Sequence, residues 1–186
     1  DTIQSRVTFA LPANVENLLL TAYLNVNATG NSLNNVLTGN SGNNRLDGGT
    51  GTDTLIGGPG DDWYVIEDYY GVDTILEAPD EGLDWVEWRN GSNYTLPENV
   101  ENITAQSNSS GGTVVVRGNA LDNTLIGVVN GRTYLDGGPG ADTLIGGTLD
   151  DTYIVDNLGD TIVEKSNGQG VDTVQSSVSY TLSSLL

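Results

Sequence analysis

The chain has 186 residues, which is enough for one domain or two small ones. Its 25 Asp and Glu residues against 6 Lys and Arg give a formal net charge of −19. So few basic residues leave little from which to build a nucleic-acid-binding face, and they disfavour an anionic membrane surface. Cysteine and histidine are absent, so disulfides, zinc–thiolate sites and catalysis by Cys or His are excluded.

Glycine is unusually frequent, with 25 residues, about twice its average share of roughly 7%. The hydrophobic fraction of 37% argues against simple disorder, and glycine does not recur at every third position as collagen requires. The composition therefore favours a repeat architecture. No apolar run approaches the roughly 20 residues of a transmembrane helix, and no signal peptide opens the chain.

Residues 1–29 contain strand-like runs, such as Leu18-Leu19-Leu20, and little that predicts a helix. Residues 30–83 are organised in nine-residue blocks that begin at Gly30, Gly39, Gly48 and Gly57. The third block reads GGTGTDTLI and the fourth GGPGDDWYV. Looser blocks follow, and they carry Asp73 and Asp84.

Residues 84–171 repeat this organisation. A strand-rich stretch, 84–117, precedes blocks that begin at Gly118, Gly127, Gly137 and Gly146, of which 137–145 reads GGPGADTLI. Residues 172–182, DTVQSSVSYTL, repeat the opening DTIQSRVTFAL. We therefore expect a first unit at 1–83, a second at 84–171 and the start of a third at 172–186, as in a segment cut from a longer array.

The blocks resemble G-G-x-G-x-D-x-U-x, the nonapeptide of RTX (repeats-in-toxin) haemolysin-type calcium-binding repeats, where U is apolar. The in-phase blocks at 48–65 and 137–154 carry this resemblance. It implies an all-β fold, a parallel β-roll or β-solenoid, that binds several Ca²⁺ ions.

The block itself makes physical sense of that fold. Glycine adopts positive φ freely, so the first part of each block can turn tightly and direct its carbonyl oxygens to one side. The last three residues form a short strand whose middle side chain faces inward. The predicted inward residues are Leu37, Leu46, Leu55, Tyr64, Leu125, Leu135, Leu144 and Tyr153.

Two blocks make one coil, so successive blocks alternate between two edges of the solenoid. Position six of each block then lies beside position six of the next block but one. The predicted aspartate pairs are Asp53 with Asp73, Asp62 with Asp84, Asp142 with Asp160, and Asp151 with Asp172.

Paired carboxylates and turn carbonyls form an all-oxygen cage, which suits the 6–8 oxygen ligands of Ca²⁺ better than the strict octahedron of Mg²⁺. Asn35, Asn44 and Asn123 also occupy position six and are candidate metal ligands. Their cages, with Asp53, Asp62 and Asp142 respectively, are expected to be poorer because Asn offers only a neutral oxygen. The block at 127–136 places Arg132 or Thr133 there, and we expect no ion held by a side chain of that block. The turn glycines of these blocks are also predicted metal-site residues, through their carbonyl oxygens: Gly48, Gly49, Gly51, Gly57, Gly58, Gly60, Gly137, Gly138, Gly140, Gly146 and Gly147.

The sequence thus predicts a calcium-binding β-roll module, without catalytic residues of its own, in a secreted bacterial protein. The resemblance implies type I secretion, an extracellular or cell-surface location, and folding after export, when calcium neutralises the acidic turns. We expect no nucleic-acid partner and no membrane insertion of this segment, and we expect further domains in a longer parent chain.

Three alternatives stay open at this level. The segment could belong to a secreted carbohydrate-active enzyme, or to a glycan-binding adhesin or surface-layer protein. A polysaccharide partner would need an aromatic platform, for which Trp63, Trp85 and Trp88 are candidates. The position-six aspartates could also serve only to cap their own turns.

Overall fold

The computed structural model describes residues 1–67, 72–106, 112–165 and 170–182. Within these ranges the chain is all-β and contains no helix, as the repeat predicts. The described residues accordingly include no helix that could span a membrane. Two compact units are found, Asp1–Arg89 and Asn90–Leu186. The sequence-repeat boundaries at 83/84 and 171/172 stay predictions.

The first unit is a parallel solenoid of ten short strands. One sheet has the order β1-β3-β5-β7-β9 and the other contains β2-β4-β6-β8-β10, so successive strands alternate between the sheets. All the described pairings are parallel. The strands are β1 (Thr2–Ser5), β2 (Phe9–Ala10), β3 (Asn17–Leu20), β4 (Ala28–Thr29), β5 (Val36–Thr38), β6 (Arg45–Asp47), β7 (Thr54–Ile56), β8 (Trp63–Glu67), β9 (Thr74–Leu76) and β10 (Trp85–Arg89).

The second unit has the same construction. Its sheets contain β11-β13-β15-β17-β19 and β12-β14-β16-β18, again parallel and alternating. The strands are β11 (Asn93–Thr95), β12 (Asn102–Ala105), β13 (Val114–Arg117), β14 (Thr124–Ile126), β15 (Thr133–Asp136), β16 (Thr143–Ile145), β17 (Thr152–Val155), β18 (Thr161–Val163) and β19 (Thr173–Ser176).

Ladders of apolar side chains run through each unit because like strands stack in register. In the first unit Leu18, Leu37, Leu55 and Ile75 are successive register partners. In the second, Ile103, Leu125, Leu144 and Ile162 form the equivalent ladder. All eight residues predicted to face inward are fully buried, so the core prediction is confirmed.

The strand-rich stretches before the nonapeptide blocks form coils of the same solenoids. β1 pairs with β3, and β3 pairs with β5 at the first nonapeptide coil. The long repeat is also visible in the backbone, since Asn14 and Asn99 both have φ of 64°. Ser5 and Ser176 each donate a side-chain hydrogen bond to the carbonyl two residues later, at 2.8 Å.

The three tryptophans do not form one exposed platform. Trp88 is fully buried in the core. Trp63 and Trp85 stack on each other with ring centroids 5.4 Å apart and planes at 12°. Each therefore covers one ring face of the other, and Trp63 Nε1 donates to Glu87 Oε2 at 3.1 Å.

Candidate metal centre

Position-six residues of alternate blocks are joined by a repeated hydrogen bond. The backbone amide of Asp62 donates to Asp84 Oδ1 at 2.8 Å, and that of Asp53 donates to Asp73 Oδ1 at 2.9 Å. In the second unit Asp142 N donates to Asp160 Oδ1 at 3.0 Å, and Asp151 N to Asp172 Oδ1 at 2.9 Å. The structure thus brings together each of the four predicted aspartate pairs.

Three of these aspartates keep one carboxylate oxygen without a partner in the described part of the chain. Asp53, Asp62 and Asp142 are almost completely buried, and Oδ1 of each accepts a backbone amide from position six of the preceding coil. Oδ2 of each is buried and has no hydrogen-bond partner among the described residues. These are the aspartates of the three blocks with a complete GGxGxD sequence. A buried carboxylate oxygen left unsatisfied is costly, so a cation at this point fits the structure.

Burial raises the pKa of all three carboxyl groups. Desolvation is the largest cause, and an accepted backbone hydrogen bond opposes it. The pKa of Asp62 rises to about 7 and that of Asp142 to about 6, with the neighbouring carboxylates Asp84 and Asp160 adding to the increase. The ionised form of each site therefore needs a compensating positive charge.

The first glycine of each complete block leaves room for that unsatisfied oxygen. A Cβ on Gly48, Gly57 or Gly137 would collide with Oδ2 of the aspartate in the same block. The carbonyl oxygens of these glycines point toward the first glycine of the preceding coil, as at Gly30 and Gly118. Carboxylate and carbonyl oxygens consequently line the same edge, which is the donor set that Ca²⁺ prefers.

The glycines at positions two and four of each block have a different role. Gly49 and Gly51 have φ of 86° and 141°, and their missing Cβ atoms leave space for carbonyl oxygens of the preceding coil. Gly58, Gly60, Gly138 and Gly140 repeat both features. Gly147 also lies against carbonyl oxygens of the preceding coil. The glycines therefore shape the turn and let its carbonyls approach the neighbouring coil.

In each position-six asparagine, the side-chain nitrogen and the side-chain oxygen both form hydrogen bonds within the protein. Asn44 Nδ2 donates to the carbonyl of Val26 at 2.7 Å, and its Oδ1 accepts the amide of Asn40 at 2.8 Å. Asn35 and Asn123 bond in the same way, to carbonyls and amides of their own edges. The amide group thus donates to carbonyl oxygens without any ion. The prediction that these residues contact metal stays a prediction.

Two further position-six aspartates, Asp151 and Asp160, accept backbone amides with Oδ2 as well as Oδ1. Asp151 Oδ2 accepts Gly147 N at 2.6 Å, and Asp160 Oδ2 accepts the amides of Asp156 and Asn157. Thr133 occupies position six of the irregular block, and its Oγ1 accepts the amide of Val128 at 3.1 Å. This block therefore offers a hydroxyl where its neighbours offer a carboxylate.

Sequence reasoning missed two glutamates, Glu77 and Glu164. Glu77 lies with Asp62 and Asp84 so that one carboxylate oxygen of each falls within 4.8 Å of the others, and Glu164 does the same with Asp151 and Asp172. The available signal was their position, since each directly follows a strand triplet where a regular block begins with glycine. The buried hydroxyls of two core tyrosines, Tyr64 and Tyr153, donate to Glu77 and Glu164 respectively.

The described arginine ion pairs lie elsewhere. Arg89, for example, contacts Glu87 and Glu67, and Arg132 contacts Asp150. None of the carboxylates in these pairs belongs to the position-six series, and the other partners are Asp47 and Asp136. The arginines consequently leave the charge of the edges for another cation to balance.

Fold and site together define a parallel β-solenoid whose edges carry stacks of buried carboxylates. A family model, the RTX calcium-binding nonapeptide repeat, matches in four copies within residues 29–64 and 130–162. These two segments belong to the RTX repeat family, and the resemblance noted in the sequence is confirmed. The RTX β-roll is a structural, non-catalytic module that binds Ca²⁺ at several sites. No curated protein and no solved structure matches the chain.

Proposed function

We propose that this calcium-binding β-roll folds when Ca²⁺ binds between position-six aspartates of neighbouring coils, in a protein that is exported before it folds. The proposed ligand pairs are Asp53 with Asp73, Asp62 with Asp84, Asp142 with Asp160, and Asp151 with Asp172, together with turn carbonyls.

The unsatisfied Oδ2 atoms of Asp53, Asp62 and Asp142 carry this proposal. Hydrogen bonding between coils accounts for Oδ1 of each aspartate, because Oδ1 accepts the backbone amide of the position-six residue in the preceding coil. It leaves Oδ2 unexplained. A Ca²⁺ ion at Oδ2 supplies the missing interaction and neutralises the buried charge.

Coupled folding follows from the charge balance. Seven position-six aspartates are buried in a chain of net charge −19. Without cations, folding would remove these carboxylates from water and bring them close to one another. The resulting desolvation and repulsion oppose the stabilisation that the thin apolar ladders of the core provide. Calcium binding thus contributes directly to the free energy of folding.

Export before folding is supported by the same dependence. RTX repeat proteins are typically secreted by bacteria. A chain that stays unfolded at low cytosolic calcium can pass through a secretion channel, and it folds where calcium is abundant. A role beside a carbohydrate-active enzyme or in an adhesin concerns a longer parent protein and stays a prediction.

Circular dichroism of the metal-depleted chain tests the proposal. We expect a largely disordered spectrum that becomes β-rich at calcium concentrations of roughly 10⁻⁴–10⁻³ M, the range of extracellular calcium modules. Magnesium at the same concentrations should have little effect. The triple variant Asp53→Asn, Asp62→Asn, Asp142→Asn should need more calcium, whereas Asp80→Asn, the same change at an exposed turn residue, should titrate like the wild type. A full β spectrum in the metal-depleted chain would refute coupled folding.

A further inference from the structure

The stack of first-position residues at one edge of the first unit changes from glycine to glutamate. Gly39 and Gly57 begin successive blocks at this edge, and a Cβ on Gly39 would collide with the carbonyl of Gly57. Glu77 is the next residue of the stack, since it follows β9 as Gly57 follows β7. Its side chain turns back toward Gly57, and Oε1 lies 2.6 Å from the place where a Cβ on Gly57 would stand.

Four oxygen-bearing groups cluster at this edge, and three of them lie beside Gly57. A Cβ at this glycine would also collide with Asp62 Oδ2 and the Tyr64 hydroxyl. One carboxylate oxygen each from Asp62, Glu77 and Asp84 lies within 4.8 Å of the other two. The fourth group, the hydroxyl of Tyr64, donates to Glu77 Oε1.

A second observation points to a ligand at this place. Asp62 is 1% exposed, and its Oδ2 has no hydrogen-bond partner among the described residues although it faces this cluster. The Tyr64 hydroxyl has one proton, and Glu77 accepts it. The buried tyrosine needs a hydrogen-bond acceptor, and this need explains the position of the Glu77 carboxylate. It does not explain Asp62 Oδ2, which still lacks an interaction.

The second unit has a similar group of side chains, but Asp151 Oδ2 accepts the amide of Gly147 at 2.6 Å and so has a partner, unlike Asp62 Oδ2. Glu164 follows β18, and its Oε1 lies 2.9 Å from the Cβ position of Gly146, where Asp151 Oδ2 lies at 2.8 Å. The Tyr153 hydroxyl donates to Glu164, and Asp172 completes the three-carboxylate group. The edge at Gly137 differs, because all three atoms nearest its Cβ position belong to Asp142.

We propose that the first unit holds a second class of calcium site, in which the first-position glutamate Glu77 joins the aspartate pair Asp62 and Asp84. This inference rests on the proposed function and adds a third carboxylate to one of its four pairs. Tyr64 is a positioning residue that holds Glu77 toward the ion. Because affinity for Ca²⁺ rises with the number of charged ligands, this site binds more tightly than the two-carboxylate sites.

Calcium titration calorimetry on the whole chain tests the role of Glu77. Glu77→Gln keeps an oxygen but removes its charge, and it should weaken the one tight site by roughly tenfold. Glu98→Gln, the same change at an exposed glutamate, is the matched control and should leave the isotherm unchanged. If Glu77→Gln fails to fold, Glu77→Gly restores the glycine of a regular block and should bind calcium with one tight site weakened.

A double-mutant cycle separates ligation from satisfying the tyrosine. In Tyr64→Phe the hydroxyl is gone, so a glutamate that serves only the tyrosine would have no further effect on calcium affinity. We expect Glu77→Gln to weaken the tight site in the Tyr64→Phe background as well. An isotherm unchanged by Glu77→Gln in this background, or by Glu77→Gly in the wild type, would overturn the inference. A wild-type chain that binds no calcium would instead overturn the proposed function.

Discussion

The amide of Asp62 donates to Asp84 Oδ1 at 2.8 Å, across 22 residues of chain. The preceding bond at this edge, from Asn44 N to Asp62 Oδ1 at 2.7 Å, spans only 18 residues. The longer coil thus keeps the same contact at position six. Irregular spacing has not broken the alternation of edges, since Asp53 N and Asp73 Oδ1 form the matching bond at the other edge.

Edge sharing predicts which aspartates are energetically coupled. Replacing Asp62 and Asp84 together by Ala should cost less calcium-dependent stability than the sum of the two single changes, because the first change already disrupts their common site. Asp62 with Asp73 should be close to additive, since these residues lie at opposite edges. The midpoint and stoichiometry of calcium-induced folding provide the measurement. Strong coupling of Asp62 to Asp73, with none to Asp84, would contradict the ion sharing.

Replacing Asp142 and replacing Asn123 by Ala should change the stability of the protein in different ways. They are neighbours at one edge, but Asp142 keeps an unsatisfied Oδ2 and Asn123 donates its amide to the carbonyl of Glu101. Asp142→Ala should flatten the increase of stability with calcium concentration, because an ion is lost. Asn123→Ala should lower stability by about 1–3 kcal/mol at every calcium concentration that folds the chain, because buried groups lose their partners.

Urea unfolding at a series of calcium concentrations measures both effects. Equal slopes of stability against the logarithm of calcium concentration for the two variants would show that the Asp142 carboxylate takes no part in binding.

Metal-depleted and calcium-loaded protein should respond to pH in opposite directions. The pKa of Asp62 is raised from 3.8 to about 7 and that of Asp142 to about 6, chiefly by desolvation. A raised pKa means that the folded state binds protons more tightly than the unfolded state. Protonation of these two aspartates therefore stabilises the folded metal-depleted chain fully below pH of about 4, and this stabilisation is lost as pH rises through 6 to 7. Acidification should therefore increase the β content of metal-depleted chain. With calcium present, protons compete with the ion, and acidification should raise the midpoint of calcium-induced folding.

Circular dichroism across this pH range, with and without calcium, measures the two responses. Asp62→Asn should reduce the pH dependence of the metal-depleted chain, and Asp80→Asn, at an exposed turn, is the control. The same direction of response in both states would contradict this prediction.

The first glycine of a block should tolerate no side chain. In Gly137→Ala the added Cβ would collide with Asp142 Oδ2, which should cost about 1–3 kcal/mol in calcium-loaded protein. Gly112→Ala is the control, because no atom of the other described residues lies within 4 Å of its Cβ position. The expected change is within about 0.5 kcal/mol. Chemical denaturation at saturating calcium compares them. Equal stability of the two variants would show that the space beside Gly137 is not needed.

The sequence alone determined the period, the parallel solenoid and the inward residue of each strand, because a nine-residue repeat with one apolar centre has few ways to bury it. It also determined the aspartate pairs, since two blocks per coil fix which turns become neighbours. Leu55 and Asp62 could both be assigned from the block alone.

Only the tertiary structure decided what each position-six group contacts. Asn44 and Asp62 occupy the same position of the block, and their side chains differ in one heavy atom. Yet the side-chain amide of Asn44 donates to a carbonyl, whereas Asp62 keeps a buried oxygen unsatisfied. Glu77 was missed because a residue outside the motif has no assigned direction until the neighbouring coil is in place. Its carboxylate reaches Asp62 only because stacking brings Gly57, which has no side chain, beside it.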